Sequence, residues 1–302
     1  MRKAVIDIGT NSVKLAAGES RAGQEPKLLF DINVITKLGE GLSGGRLSRA
    51  AIERTAEATA KFAQFARAHG AEEVLCVGTA ALREARNAEE FAQVLHDAGG
   101  PDVRVISGEE EAELSSRAML ASIRGAEDGE VLIFDTGGGS TEFARAKDGK
   151  LTGAFSVRVG AVKLTEEHFS TSPADPHEVC AVVAEITKKF AAYGVARGAK
   201  MLIGAGGNVT AMAAVAAGMD RYDANKIHGS ILKADEVARQ TALYAECTDE
   251  ERRRIRGLSP KRADIILGGA CIITAAMEAA GAKQIVVSDR SLRHELLRRI
   301  LM

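Results

Sequence analysis

Val5-Ile6-Asp7-Ile8-Gly9-Thr10-Asn11-Ser12 and Ile133-Phe134-Asp135-Thr136-Gly137-Gly138-Gly139-Ser140 share one pattern: an apolar run, Asp, any residue, Gly, two residues, Ser. In each copy the apolar run reads as a strand, and a second strand-like run follows the Ser. Each copy therefore predicts a β-hairpin with a small, polar tip. A solenoid would need more than two repeats, so two copies predict two similar lobes.

Outward from the first hairpin, a third strand begins near Lys27 and runs through LLFDINVIT. A Gly-rich loop (Gly39–Gly45) precedes a long Ala-rich helix capped by Ser48 and ending before Gly70. Strand Val74–Val77, a helix around Asn87–Leu95, strand Val103–Ile106 and helix Glu109–Ile123 complete a β-β-β-α-β-α-β-α order. The charged break RGAEDGE follows, near residue 125, and then the order restarts. Strands Val131–Asp135, Ser140–Ala146 and Leu151–Val157 lead to a helix around 175–193 and strand Met201–Gly204. A helix, a variable insert, helix Ala263–Ala280, strand Gln284–Val287 and helix Leu292–Leu301 finish the chain. The expected class is α/β, with an N-terminal lobe over 1–124 and a C-terminal lobe with helical insertions over 125–302, around a cleft. The last helix is free to pack back on the first lobe. The stretch Asp220–Asp235 reads as either a lid or a connector.

The 302 residues are 46% hydrophobic and 27% charged, with a formal net charge of −1, an ordinary globular balance with no overall field to attract nucleic acid or an acidic membrane. A polyanionic substrate would need a locally basic site. Cys76, Cys180, Cys247 and Cys271 are too widely spaced for a metal-ligand pattern and read as buried free thiols in a reducing compartment. The start, MRKAVIDIGT, has no apolar signal-peptide core, so the expected location is cytoplasmic. The uncharged stretch Met201–Met219 contains Gly204, Gly206, Gly207, Asn208 and Thr210. It reads as a strand, a turn and a helix rather than a membrane span.

The hairpin tips carry the first chemical signal. Gly9, Thr10, Asn11 and Ser12, and Gly137, Gly138, Gly139 and Ser140, offer main-chain N–H groups and hydroxyls that suit an anion. Asp7 or Asp135 beside a bound phosphate would require a cation between them, usually Mg²⁺. The alternative is an ordinary hairpin with Asp near its turn. A third turn, Gly204-Ala205-Gly206-Gly207-Asn208-Val209-Thr210, follows a strand and opens a helix. It fits either phosphate binding at a helix N-terminus or close helix–strand packing. Ser107-Gly108-Glu109-Glu110-Glu111 is a capping box, or else a helix start with one Glu turned inward as general base. Helical spacing places Glu111 on a face with Leu114, Ser115 and Ala118. Basic candidates are Lys14, Arg83, Arg158, Lys163, Arg290 and Arg293. Arg83 stands out because it follows a strand-end turn.

AVIDIGTNSVKL, VGTAALREARN, VISGEEEAEL, IFDTGGGSTEF and VSDRSLRHELL, in that order, resemble the exopolyphosphatase / guanosine pentaphosphate phosphohydrolase (Ppx/GppA) family over nearly the whole chain. The resemblance implies ribonuclease-H-like lobes of the actin, sugar kinase and heat-shock ATPase superfamily. It implies hydrolysis of the terminal phosphoanhydride of inorganic polyphosphate, or of guanosine pentaphosphate, with Mg²⁺ and Mn²⁺ as the alternative metal. By motif, Glu111 matches the catalytic glutamate and Arg83 a phosphate-facing arginine. Asp135, with Glu142 close behind and Asp7 as a secondary candidate, matches the metal site. The tips at 9–12 and 137–140 match the two phosphate loops, and Gly206, Gly207 and Asn208 the third. Two departures stand out: Asn208 replaces a Thr, and Leu292-Arg293-His294-Glu295 lacks the family's Gly. The chain resembles the short, two-lobe form, as a monomer or a homodimer. A nucleoside triphosphatase, a kinase of the superfamily and a non-catalytic alarmone-binding sensor are the competing readings.

Overall fold

The structure is a computed structural model that describes residues 1–21, 26–169 and 171–302. The chain forms two compact units, 1–115 with 292–302, and 116–291.

The first unit is built on the hairpin β1 (Arg2–Ile8) and β2 (Ser12–Glu19). It continues with β3 (Lys27–Ile35), α1 (Arg49–Ala68), β4 (Glu73–Gly78), α2 (Ala80–Glu84), α3 (Ala88–Asp97), β5 (Val103–Val105) and the start of α4 (Gly108–Leu120). The sheet order is β3-β2-β1-β4-β5, with β1–β2 and β2–β3 antiparallel and β1–β4 and β4–β5 parallel. Side chains alternate across β1. Ala4, Ile6 and Ile8 enter one core with Ile52, Ala56 and Ala63 of α1 and Phe91 and Leu95 of α3. Val5 enters the opposite core, so both faces of the sheet are covered. Ser48 caps α1, its hydroxyl accepting from the Ala51 N–H at 3.2 Å, a contact that contributes about 1 kcal/mol.

The second unit repeats the plan. It contains β6 (Glu130–Thr136), β7 (Thr141–Lys147), β8 (Lys150–Val157), α5 (Ala161–His168), α6 (Pro176–Ala192), β9 (Met201–Ala205) and α7 (Gly207–Ala216). There follow α8 (Ala224–Ile227), β10 (Ile231–Lys233), α9 (Ala234–Glu246), α10 (Asp249–Arg252), α11 (Ile266–Ala280) and β11 (Gln284–Val287). The order β10-β11-β9-β6-β7-β8 contains the same five-strand arrangement as the first sheet, extended by β10. Helix α11 is apolar on nearly every side and runs through the middle of the larger core, against α5, α6, α7 and α9.

The last helix, α12 (Leu292–Leu301), belongs with the first unit. It lays Leu292, Leu296, Leu297 and Leu301 on Val5, Ala16 and Val77, at about 1.5–3 kcal/mol per buried leucine. Arg293 makes a bidentate pair with Asp31 of β3 at 2.8 and 2.9 Å, and His294 Nε2 reaches the same carboxylate at 2.9 Å. The sequence places the boundary at 124/125; the compact units divide at 115/116, within α4, because its second half packs Met119 on the second unit's sheet.

One expectation needs correction, and the structure adds detail at two further places. Cys180 is exposed and Cys247 partly so; only Cys76 and Cys271 are buried, and all four are free. Short helices α2 and α5 and the longer α9 were not read from the sequence. The stretch Asp220–Asp235 is structured: it holds α8 and β10, Arg256 grips Asp220 at 2.8 and 2.9 Å, and His228 meets the Ser122 carbonyl at 3.1 Å. The Met201–Met219 stretch is β9, a glycine turn and α7. Among the described residues no helix is long and apolar enough to cross a membrane.

Candidate functional site

Both hairpins close in the same way. The Gly9 N–H donates to the Ser12 carbonyl at 3.0 Å, and the Gly137 N–H to the Ser140 carbonyl at 2.9 Å. In both, the chain beyond the third strand comes back to tie down the carbonyls of the tip. In the first unit, Gly39 N–H donates to the Thr10 carbonyl at 2.8 Å, and Thr36 and Lys37 N–H both donate to the Asn11 carbonyl at 3.0 Å. In the second, the opening turn of α5 does this. Ala161 N–H donates to Gly137 at 3.1 Å and Val162 N–H to Gly138 at 2.9 Å. A trans peptide points its C=O and N–H in opposite directions. Carbonyls held inward therefore turn the N–H groups of Asn11 and Ser12, and of Gly138 and Gly139, the other way. That is the construction of an anion-binding nest. Gly160 makes it possible in the second unit, since a Cβ there would stand 2.3 Å from the Gly138 oxygen.

The two nests differ in the residue beside each Asp. In an antiparallel pair, directly opposite residues share a face. Asp7 lies opposite Lys14, whose Nζ is 3.4 Å from its carboxylate, and Asp7 is 4% exposed. Asp135 lies opposite Glu142 instead. The Glu142 carboxylate is buried and accepts from Ser140 at 2.6 Å and from Ser156 at 2.8 Å. The Asp7 position is thus balanced by an ammonium within the protein, whereas the equivalent position in the second unit pairs two carboxylates. Two hard oxygen donors facing one side fit a Mg²⁺ that keeps waters and takes further oxygens from a phosphate. Among the described residues no set of three His, Cys, Asp or Glu gathers in one place.

Arg83 and Glu111 meet in the first unit. Arg83 stands on α2, directly after β4, and Glu111 in the opening turn of α4, directly after β5. Arg83 Nη1 donates to Glu111 Oε2 and to the Ile106 carbonyl, both at 3.0 Å. The second bond fixes the guanidinium, and the guanidinium orients the carboxylate. Leu114 and Ser115 are buried on the same face of α4, which leaves the Glu111 side chain 14% exposed at its edge. Glu110 turns the other way, to Arg104 at 2.7 Å, while its N–H is capped by Ser107 at 3.1 Å. Ser107 thus caps the helix start from one side, while the Glu110 carboxylate goes to Arg104 and the Glu111 carboxylate to Arg83.

The third turn sits between β9 and α7. Gly206 has φ +104°, and a Cβ would stand 2.2 Å from the Thr136 carbonyl oxygen, so the backbone of this turn lies against the end of β6. Gly207 is covered by the Arg262 guanidinium, with Nη1 2.3 Å from the Cβ position. Asn208 is 3% exposed and packs on Gly269 of α11, so its side chain serves helix packing. The charged group at this turn is Arg262, which sequence reading missed. Burial lowers its pKa, with the nearby Tyr222 and Asp264 acting in the opposite direction. No local motif marks it, although SPKRAD directly before a long apolar helix was a readable sign of a cation at a helix start.

The sequence model of the Ppx/GppA phosphatase family matches residues 17–302. A bifunctional 3-dehydroquinate synthase/phosphatase of Fusobacterium nucleatum is 30% identical over 300 residues, 95% of this chain. The chain spans 45% of the length of that relative. Exopolyphosphatase 2 of Mycobacterium tuberculosis is 32% identical over 307 residues, covering 96% of both chains. Among solved structures, the PPX-GPPA enzyme of Aquifex aeolicus superposes with a TM-score of 0.82 at 32% identity, covering 99% of both chains.

Proposed function

The chain belongs to the Ppx/GppA phosphatase family, and on that premise we propose that it is an exopolyphosphatase. In this reading it releases the terminal phosphoryl group of inorganic polyphosphate by attack of water. The observation that carries it is the Arg83–Glu111 pair, a carboxylate held by a fixed guanidinium at the ends of adjacent parallel strands.

Glu111 orients the attacking water and accepts its proton as the new P–O bond forms, while the bridging P–O bond breaks and the shortened polyphosphate leaves with the bridging oxygen. Arg83 offers positive charge to the equatorial oxygens of the transferred group. Within its own unit, each hairpin tip offers N–H groups, of Asn11 and Ser12 or of Gly138 and Gly139, that suit phosphate oxygens. Asp135 and Glu142 would hold Mg²⁺, and Asp7 is left to Lys14. A Mg²⁺ held there would supply positive charge to phosphoryl oxygens. Relatives named exopolyphosphatase over 96% of this chain support polyphosphate as the substrate.

The test is phosphate release from polyphosphates of several lengths, guanosine pentaphosphate and ATP, by wild type and Glu111→Gln, with Mg²⁺ and with EDTA. Polyphosphate turnover by wild type, reduced by about 10²–10⁴-fold in Glu111→Gln with substrate binding retained, is expected. Preferential turnover of guanosine pentaphosphate would replace the substrate, and full activity in the variant would remove Glu111 as base.

A further inference from the structure

Lys37 occupies a backbone conformation that disfavours it, and it does so beside the first hairpin tip. Its φ is +51°, in the left-handed region, which costs a residue with a Cβ about 1–2 kcal/mol. Among the described residues the other such case is Asp148, which precedes Gly149 at the β7–β8 turn, where an Asp-Gly pair is the usual solution. Lys37 has no such local reason. Strain of this kind persists where the surroundings impose it, and it gathers at ligand sites.

The surroundings do impose it. The N–H groups of Thr36 and Lys37 converge on the Asn11 carbonyl, and Gly39 N–H takes the Thr10 carbonyl. From the other side, Arg54 of α1 donates from Nε to the Thr36 carbonyl at 2.5 Å and from Nη2 to the Lys37 carbonyl at 3.3 Å. Gly39 completes the clamp, because a Cβ there would stand 2.2 Å from Thr10 Cγ2. The backbone of Lys37 is thus joined to the tip that holds Asn11 and Ser12.

Two polar groups at this junction point to a ligand. Asn11 Nδ2 and Thr36 Oγ1 are buried and have no hydrogen-bond partner among the described residues, which are 7% and 2% exposed at these positions. An orphaned buried polar group is destabilising by about 1–3 kcal/mol unless something binds to it. The backbones of Thr36 and Lys37 meet that of Asn11 at the Asn11 carbonyl, so an amide, a hydroxyl and an ammonium, the donor types that suit an oxyanion, come from adjoining residues.

We propose that Thr36 and Lys37 extend the phosphate grip of the first unit, with the Lys37 ammonium, the Asn11 amide and the Thr36 hydroxyl holding non-bridging oxygens of a phosphoanhydride chain. The proposal rests on the polyphosphate reading above and adds substrate-contacting residues outside the Asp-x-Gly-x-x-Ser pattern. The clamp fixes the origin of the lysine side chain against the tip, and the left-handed turn is the conformational cost of doing so.

Binding of inorganic tripolyphosphate is measured by calorimetry in EDTA, and KM and kcat on polyphosphate with Mg²⁺, for wild type, Lys37→Asn, Lys37→Gly and Lys37→Arg. Asn and Gly accept the left-handed backbone, so both variants stay folded. Each is expected to weaken tripolyphosphate binding and to raise KM about tenfold or more, as removal of a charge-assisted contact requires, with kcat changing less. Lys37→Arg recovers most of the binding. Wild-type affinity in both neutral variants overturns the proposal, as does a loss in Lys37→Arg equal to that in Lys37→Gly. Wild-type protein that binds tripolyphosphate through Lys37 but hydrolyses no polyphosphate refutes the proposed activity and leaves this site standing.

Discussion

Gly160→Ala isolates the hairpin tip at 137–140. The native φ and ψ at Gly160, −137° and 153°, are extended backbone that alanine adopts freely, so the variant carries no conformational strain of its own. Its Cβ would stand 2.3 Å from both the Gly138 oxygen and the Gly139 carbonyl carbon, where ordinary contact begins at 3.4 Å. The overlap is 3.4 − 2.3 = 1.1 Å, and the obstructing atoms are backbone that cannot swing aside as a side chain would. Either the tip or the start of α5 must move by about 1 Å. A shift of that size in a positioning element lowers rate by about 10²-fold. The accompanying loss of stability is about 1–3 kcal/mol, as for other overpacked sites. The assay is initial phosphate release from polyphosphate, with circular dichroism and a urea titration to separate folding from function. Gly153→Ala, with no atom within 4 Å of its Cβ, is the matched control and should behave as wild type. Wild-type kcat/KM in a folded Gly160→Ala protein would refute the idea that the tip 137–140 grips substrate.

Glu142→Gln keeps the acceptor for Ser140 and Ser156 but removes the charge beside Asp135. The Mg²⁺ concentration needed for half-maximal activity, titrated into EDTA-stripped protein, should rise about tenfold or more, and an unchanged requirement would exclude Glu142 from the metal site. Asp31→Asn tests how the C-terminal helix is held. Burial alone would raise the Asp31 carboxyl, but the hydrogen bond from His294 and the charge and hydrogen bonds of Arg293 outweigh it and hold it well below the usual range. A carboxyl depressed in the folded state stabilises above its unfolded value of about 3.9, and that contribution fades as pH falls below it. At pH 7 the variant should therefore lose about 2 kcal/mol in urea unfolding, and the gap to wild type should narrow at pH 3. A gap that is constant or widens in acid would show that this carboxylate is not the anchor.

The paired hairpins were legible because their signals are local. Alternating apolar residues set the strands, and small polar residues set the tips within a few positions. The unequal chemistry of the two copies follows from the same short range, since Asp7 and Lys14, like Asp135 and Glu142, sit seven residues apart across one hairpin. The helix that carries Glu111 and its Ser107 cap were likewise readable from Ser107 to Glu113.

Only the tertiary structure decided which distant groups meet. Arg83 and Glu111 are 28 residues apart and come together because β4 and β5 are parallel neighbours with their helices leaving from the same end. The tips gained their outward N–H groups from segments 36–39 and 161–163, which share no motif. Arg262 reached Gly207 through the packing of α11's approach against α7, and Asn208 turned from the turn into that packing. Arg293, 262 residues from Asp31, returned the last helix to the first unit. Hydrogen-bond geometry and side-chain period act over a turn or a hairpin, so a chain displays them in its order of residues. Sheet order and helix packing act across the whole unit and depend on every element at once. For this reason the two hairpins and their small polar tips could be read from the sequence, whereas the clamp behind them, including the strained Lys37, could not.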